Sequence, residues 1–122
     1  MDKIKLLIVE DDTAIASALS IKFTNEGFNV LVAKDGKEGL AIAISEKPAM
    51  ILLDIVMPVM DGITMLNLLR ATEWGKMANV ILLTNLMEAD KMSEAMENNA
   101  NVYLIKSDWK IDDLVKEVKK RM

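Results

Sequence analysis

The chain has 122 residues, of which 19 are acidic and 15 basic, so its net charge is −4 and its pI is about 4.8. It contains no cysteine and no histidine, which excludes disulfide scaffolds, zinc sites built on those residues and nucleophilic triads that need histidine. The acidic charge argues against direct nucleic-acid binding, and no apolar run reaches the roughly 18 residues of a membrane span. We therefore expect one cytoplasmic domain over residues 1–122, without a second domain in this chain.

The first apolar run, at residues 4–9, predicts a strand that ends at three consecutive acids, Glu10, Asp11 and Asp12. Apolar residues at helical spacing follow, and Gly27 predicts the end of that helix. Taken alone, Asp12 is most simply explained as the N-cap of the helix. Taken together, the three acids that follow the first strand are all candidates for chemistry.

The second run, at residues 28–33, is followed by a predicted helix near residues 36–46, which Asp35 would cap. The third run, at residues 49–53, is apolar on both faces, as expected of a central strand in a parallel sheet. It ends at Asp54, and a loop with proline and glycine then leads to a third helix. An acid inside such an apolar stretch needs a partner or a function.

The fourth run, at residues 80–83, ends at Thr84, and the fifth, at residues 102–105, ends at Lys106. A weak helical pattern lies between them, and a clearly amphipathic helix begins near Ile111. This alternation predicts an α/β fold: an open, doubly wound, five-stranded parallel sheet with helices on both faces, abbreviated (βα)5.

The polar residues that end these strands are expected to converge, because ligand sites in open α/β sheets form at the carboxyl ends of strands. The expected cluster contains Glu10, Asp11, Asp12, Asp54, Thr84 and Lys106. A divalent cation would offset the repulsion between the carboxylates, and an all-oxygen site suits Mg²⁺, with Mn²⁺ as an alternative. Together these groups surround a place for a phosphoryl group, with a carboxylate as its nucleophile. Thr84 and Lys106 each have a plainer explanation when taken singly, as a strand former and a solvated lysine.

The chain resembles, over its whole length, the receiver domain of two-component response regulators. Four stretches carry the resemblance: LIVEDD at residues 7–12, LLDIVMPVMDG at 52–62, LLT at 82–84 and YLIK at 103–106. The resemblance implies a flavodoxin-like strand order 2-1-3-4-5. It also implies that a sensor histidine kinase or phosphotransfer protein donates the phosphoryl group.

The resemblance also assigns roles to particular residues. Asp54 resembles the phosphoacceptor, and the metal ligands would be Glu10, Asp11, Asp54 and the backbone carbonyl of Val56. Lys106 and Thr84 would bind the phosphoryl oxygens. Thr84 would also act as the switch hydroxyl, with Tyr103 as the switch aromatic.

The implied output is a change on the face formed by the fourth helix, fifth strand and fifth helix. This face would be presented to a downstream effector protein or an output domain, or would support a phosphorylation-dependent homodimer.

Two departures from the family pattern leave an alternative open. Ser107 stands where a proline is usual after the lysine, and Asn85 stands where a small residue is usual after the threonine. The alternative is a phosphorylation-independent interaction domain with a vestigial pocket. A phosphatase or phosphotransferase is a third possibility, but Val56 occupies the position of the second acid that those enzymes normally carry.

Overall fold

The computed structural model describes residues 3–84, 102–105 and 110–122 of the chain. The strands share a length of four or five residues, and they are β1 (Lys5–Val9), β2 (Asn29–Ala33), β3 (Met50–Asp54), β4 (Val80–Thr84) and β5 (Val102–Ile105). The helices are α1 (Thr13–Asn25), α2 (Gly36–Glu46), α3 (Gly62–Arg70), a 3₁₀ turn (Trp74–Met77) and the C-terminal helix (Ile111–Lys120). Among the described residues, no helix combines the length and apolarity needed to cross a membrane.

The sheet is parallel, with strand order β2-β1-β3-β4 and with β5 paired along the outer side of β4. This order confirms the predicted flavodoxin-like α/β fold. Completion of the (βα)5 pattern remains a prediction, because the expected fourth helix falls in residues 85–101, outside the described residues.

Two apolar cores lie on opposite faces of the sheet, because successive side chains of a strand point to opposite sides. Leu7 and Val9 of β1 pack in one core with residues of α2 and α3. Leu6 and Ile8 pack in the other core with residues of α1 and the C-terminal helix. All of β3 is buried, as expected of a central strand with helices on both faces.

Helices α1 and α2 begin where the sequence places capping residues. Asp12 Oδ1 accepts from the N–H groups of Ala14 and Ile15 at 2.9 and 3.2 Å. Asp35 Oδ1 accepts from the Glu38 N–H at 2.8 Å. Both contacts satisfy N–H groups that have no partner within the helix itself. The predicted caps of α1 and α2 are therefore confirmed.

Candidate acidic site at the carboxyl edge of the sheet

Glu10 and Asp11 follow directly after β1, at the edge of the sheet where α1 begins. The Glu10 N–H donates to the Ala33 carbonyl oxygen at 3.0 Å, which extends the pairing of β1 with β2 by one residue. The Glu10 side chain is only 4% exposed, whereas Asp11 is exposed. The third acid of the run, Asp12, has its carboxylate committed to the α1 cap.

Asp54 is the last residue of β3, which lies between β1 and β4 in the sheet. It is 6% exposed, and its Oδ1 accepts a hydrogen bond of 2.9 Å from the Ile55 N–H. A hydrogen bond from a backbone N–H favours the charged form of a carboxylate. The structure therefore provides a specific partner for the acid that the sequence places at the end of an apolar run.

Three carboxylates meet at this edge. One oxygen from each of Glu10, Asp11 and Asp54 lies within 4.8 Å of the other two. Two of the three side chains are buried, so water screens their mutual repulsion less than it would at an exposed surface. A donor set of oxygens without nitrogen or sulfur fits a hard divalent cation such as Mg²⁺.

The loop from β3 to α3 passes beside these acids. The Gly62 N–H donates to the Ile55 carbonyl oxygen at 2.8 Å, which ties the two ends of the loop together. A Cβ at Gly62 would overlap the carbonyl oxygen of Asp54, so α3 begins directly on the backbone of that residue. Val56 lies inside the loop, with a side chain that is 49% exposed.

The remaining predicted site residues are Thr84, Tyr103 and Lys106. Thr84 ends β4 and pairs with Ile105 of β5, and Tyr103 pairs with Leu82. Their backbone positions are described, but their side chains are not. Lys106, together with Ser107 and Asn85, lies outside the described residues.

The sequence matches the response regulator receiver domain family over residues 6–119. The chain belongs to this family. It is a signalling domain of two-component systems, and its acidic cluster fits the binding of Mg²⁺.

The receiver domain has relatives of known name and known structure. It is 34% identical over 102 residues to the DNA-binding dual master transcriptional regulator RpaA of Synechocystis sp., a match that covers 84% of this chain and 42% of RpaA. The chemotaxis response regulator CheY4 of Vibrio cholerae has a TM-score of 0.89 and 27% identity, covering 99% of this chain and all of CheY4. The receiver domain of the Francisella response regulator 1452 has a TM-score of 0.85 and 32% identity, covering 97% and 95% of the two chains.

The receiver domain spans about half the length of the curated relatives it matches, from 42% of RpaA to 51% of a mycobacterial MtrA. The structural match to CheY4, in contrast, covers the whole of the solved CheY4 chain. The comparisons favour neither the vestigial-pocket alternative nor an enzyme.

Sequence reasoning missed two glycines that shape the site of this receiver domain. Gly62 lies against Asp54, and Gly36 lies against the Met60 carbonyl oxygen in the same loop. Each glycine follows an aspartate that caps a helix, Asp61 in one case and Asp35 in the other. The repeated Asp-Gly pair was the available signal, although it does not say which backbone each glycine approaches.

Proposed function

We propose that this receiver domain accepts a phosphoryl group on Asp54 from the phosphohistidine of a sensor histidine kinase or phosphotransfer protein. The observation that carries the proposal is the cluster of Glu10, Asp11 and Asp54, with carboxylate oxygens within 4.8 Å of one another. Membership of the receiver family supports the same function. The domain thereby acts as a phosphorelay component that changes only its own phosphorylation state.

A divalent cation, Mg²⁺ or alternatively Mn²⁺, would be held by Glu10, Asp11, Asp54 and the backbone carbonyl of Val56. Bound there, the cation would supply positive charge that reduces repulsion between the acids and an incoming phosphoryl group. The all-oxygen donor set supports this choice of ion.

Asp54 is suited to be the nucleophile because its carboxylate is oriented before the donor arrives. The Ile55 N–H holds Oδ1, and burial limits the access of water that would compete for the phosphoryl group. In the transfer, a carboxylate oxygen forms the new P–O bond while the P–N bond of the phosphohistidine breaks and its electron pair returns to the imidazole. We assign Lys106 and Thr84 to the phosphoryl oxygens, as a cation and a hydroxyl donor respectively.

The output follows from the movement of Thr84 and Tyr103 towards the phosphoryl group. These two residues lie at the end of β4 and within β5, which are neighbouring strands. We infer that the resulting change appears on the face of the predicted fourth helix, β5 and the C-terminal helix. A two-state surface of this kind can present a different contact to a downstream protein in each state.

The partners that we propose are a kinase or phosphotransfer protein upstream and an effector protein or output domain downstream. RpaA and MtrA are named as DNA-binding proteins and exceed this chain in length. Direct nucleic-acid binding by residues 1–122 is not part of the proposal, because the net charge of −4 opposes it. A cytoplasmic location and phosphorylation-dependent homodimerisation are further parts of the proposal.

Phosphoryl acceptance is tested by incubating the protein with acetyl phosphate, with and without Mg²⁺, and measuring the intact mass. We expect a gain of one phosphoryl group in Mg²⁺ and no gain when the ion is chelated. Asp54→Asn should abolish the gain, because an amide oxygen is a far weaker nucleophile than a carboxylate.

Asp12→Asn is the matched control for that variant. It makes the same chemical change beside Asp11, and asparagine caps a helix about as well as aspartate. We expect Asp12→Asn to be phosphorylated like the wild type, because the Asp12 carboxylate is bound to Ala14 and Ile15. Phosphorylation that persists in Asp54→Asn, or that needs no divalent cation, would refute the proposed function.

A further inference from the structure

Gly36, the first residue of α2, lies against the loop between β3 and α3. Its N–H donates to the Met60 carbonyl oxygen at 3.0 Å. A Cβ built on Gly36 would overlap that same oxygen. The turn between β2 and α2 therefore approaches the loop more closely than a residue with a side chain allows.

The same peptide unit is held from its other side. The Met60 N–H donates to the Pro58 carbonyl oxygen at 2.7 Å, closing a three-residue turn around Val59. Val59 has a φ of 68°, in the left-handed region that β-branched residues rarely adopt. An unfavourable backbone conformation persists only where surrounding contacts maintain it. The Gly36 N–H is one such contact.

The loop that Gly36 holds is part of the acidic site. It begins at Ile55, whose N–H binds the Asp54 carboxylate, and it contains Val56. The hydrogen bond from Gly62 to Ile55 closes the loop at its base. A displacement at Met60 therefore has to be absorbed between these two anchored ends, where Val56 lies.

We propose that Gly36 is a positioning residue for the divalent-cation site, acting through the Met60 carbonyl on the loop that carries Val56. Gly36 does not touch the acids. It fixes the backbone that would present the Val56 carbonyl to the ion. The inference rests on the proposed function, because it assumes that Glu10, Asp11 and Asp54 bind a divalent cation.

The first experiment titrates the unphosphorylated protein with Mg²⁺ by calorimetry, comparing wild type with Gly36→Ala. We expect Gly36→Ala to bind Mg²⁺ about tenfold more weakly, the lower end of the range for residues that support metal ligands. Gly75→Ala is the matched control, since a Cβ there would also overlap a backbone carbonyl, that of Leu69. Gly75 lies in the turn that leads to Asn79, beside the start of β3, at the opposite edge of the sheet. We expect Gly75→Ala to retain wild-type Mg²⁺ affinity.

The possible results distinguish a failure of the positioning role of Gly36 from a failure of the proposed function. Equal Mg²⁺ affinity in wild type and Gly36→Ala overturns the positioning role and leaves the proposed function intact. Equal weakening in Gly36→Ala and Gly75→Ala also overturns it, because general destabilisation then explains the effect. Absence of Mg²⁺ binding by the wild type refutes the proposed function and the inference together.

A second measurement, hydrogen exchange, needs no variant. It therefore tests the positioning role of Gly36 even if Gly36→Ala does not fold. If opening of the loop abolishes Mg²⁺ binding, the ion should slow hydrogen exchange of the Gly36 N–H by a factor of about 1 + [Mg²⁺]/Kd, roughly tenfold at nine times Kd. The Gly75 N–H, bonded to Thr72 Oγ1 at 2.9 Å, serves as the reference and should not slow. An unchanged exchange rate at Gly36 in saturating Mg²⁺ would overturn the inference.

Discussion

Asp54 is the residue at which the apolar centre of the sheet meets the acidic site. The four residues before it in β3 are essentially inaccessible to water, and Asp54 itself is buried. Its backbone is part of a central strand, and its carboxylate is anchored to the next N–H along the chain. A reactive group on a rigid strand keeps its position better than one on a loop, which suits the proposed role of Asp54 as the phosphoacceptor.

Val59, in the loop that follows Asp54, has a backbone conformation that costs free energy. Its side chain is 77% exposed, so it gains little from burial, while its φ of 68° is unfavourable for a β-branched residue. Asparagine adopts this region more readily. We predict that Val59→Asn raises the free energy of unfolding by about 1 kcal/mol, measured by urea denaturation.

Val56→Asn is the control for Val59→Asn. Val56 is a second exposed valine of the same loop, and its φ is not positive. This variant should change the unfolding free energy by no more than about 0.5 kcal/mol. Equal effects of the two substitutions, or no gain from Val59→Asn, would contradict the assignment of strain to Val59.

At the scale of elements, the helix starts were the most predictable feature. Asp12 and Asp35 were identified as caps from the sequence, and both bind N–H groups two or three residues ahead. Capping is predictable because donor and acceptor belong to one short segment. The bounds of α2, Gly36–Glu46, agree with the prediction for the same reason.

The connection from α3 to β4 was not predicted. It contains a 3₁₀ turn, Trp74–Met77, and Arg70 braces it by donating from Nη1 to the carbonyl oxygens of Gly75 at 2.7 Å and Ala78 at 2.6 Å. Partial burial of the guanidinium lowers the pKa of Arg70 from its ordinary value. Hydrophobic periodicity carries no signal for such a contact, because it depends on how the chain folds back after the helix.

Two ion pairs join α1 to the C-terminal helix. Lys22 lies 2.7 Å from Asp112, and Lys119 lies 2.7 Å from Glu26. The hydrogen bond from each lysine lowers the pKa of its partner, Asp112 or Glu26, from the ordinary values of 3.8 and 4.5. A lowered folded-state pKa contributes stability above the unfolded-state value, and that contribution is lost as the pH falls through the folded-state value.

We therefore predict that Glu26→Gln lowers the unfolding free energy at pH 7, and that its difference from wild type disappears as the pH falls below about 4.5. The difference should also shrink in added salt, because both groups are near the surface. Urea denaturation across this pH range checks both trends. Glu73→Gln, at an exposed site in the turn after α3, is the control for the loss of one surface carboxylate. A Glu26→Gln difference that does not shrink as the pH falls would contradict the ion-pair explanation.

At the scale of the whole molecule, the acidic cluster was predictable from topology. Parallel strands place their carboxyl ends at one edge, so acids that follow β1 and end β3 must come close together. The structure brings Glu10, Asp11 and Asp54 within 4.8 Å. The approach of Gly36 to Met60 was not predictable in this way, because it depends on the relative placement of two separate loops.

The two helical layers give the molecule two distinct sides. α1 and the C-terminal helix share one apolar core and are joined by ion pairs, while α2 and α3 share the other core. The acidic cluster lies at the carboxyl edge of the sheet, where α1 and α3 begin. The proposed kinase would have to approach this edge to reach Asp54, whereas the proposed output face includes the C-terminal helix. Input and output can thus occupy different surfaces of one small domain.

Direct mapping of the modified residue tests the central claim that Asp54 is the phosphoacceptor. The protein is phosphorylated with acetyl phosphate and Mg²⁺, the acyl phosphate is reduced with borohydride, and the peptides are sequenced by mass spectrometry. We expect conversion of the side chain at position 54 to homoserine, dependent on Mg²⁺, with Glu10, Asp11 and Asp12 unmodified. Homoserine at another aspartate, together with an unmodified Asp54, would contradict it.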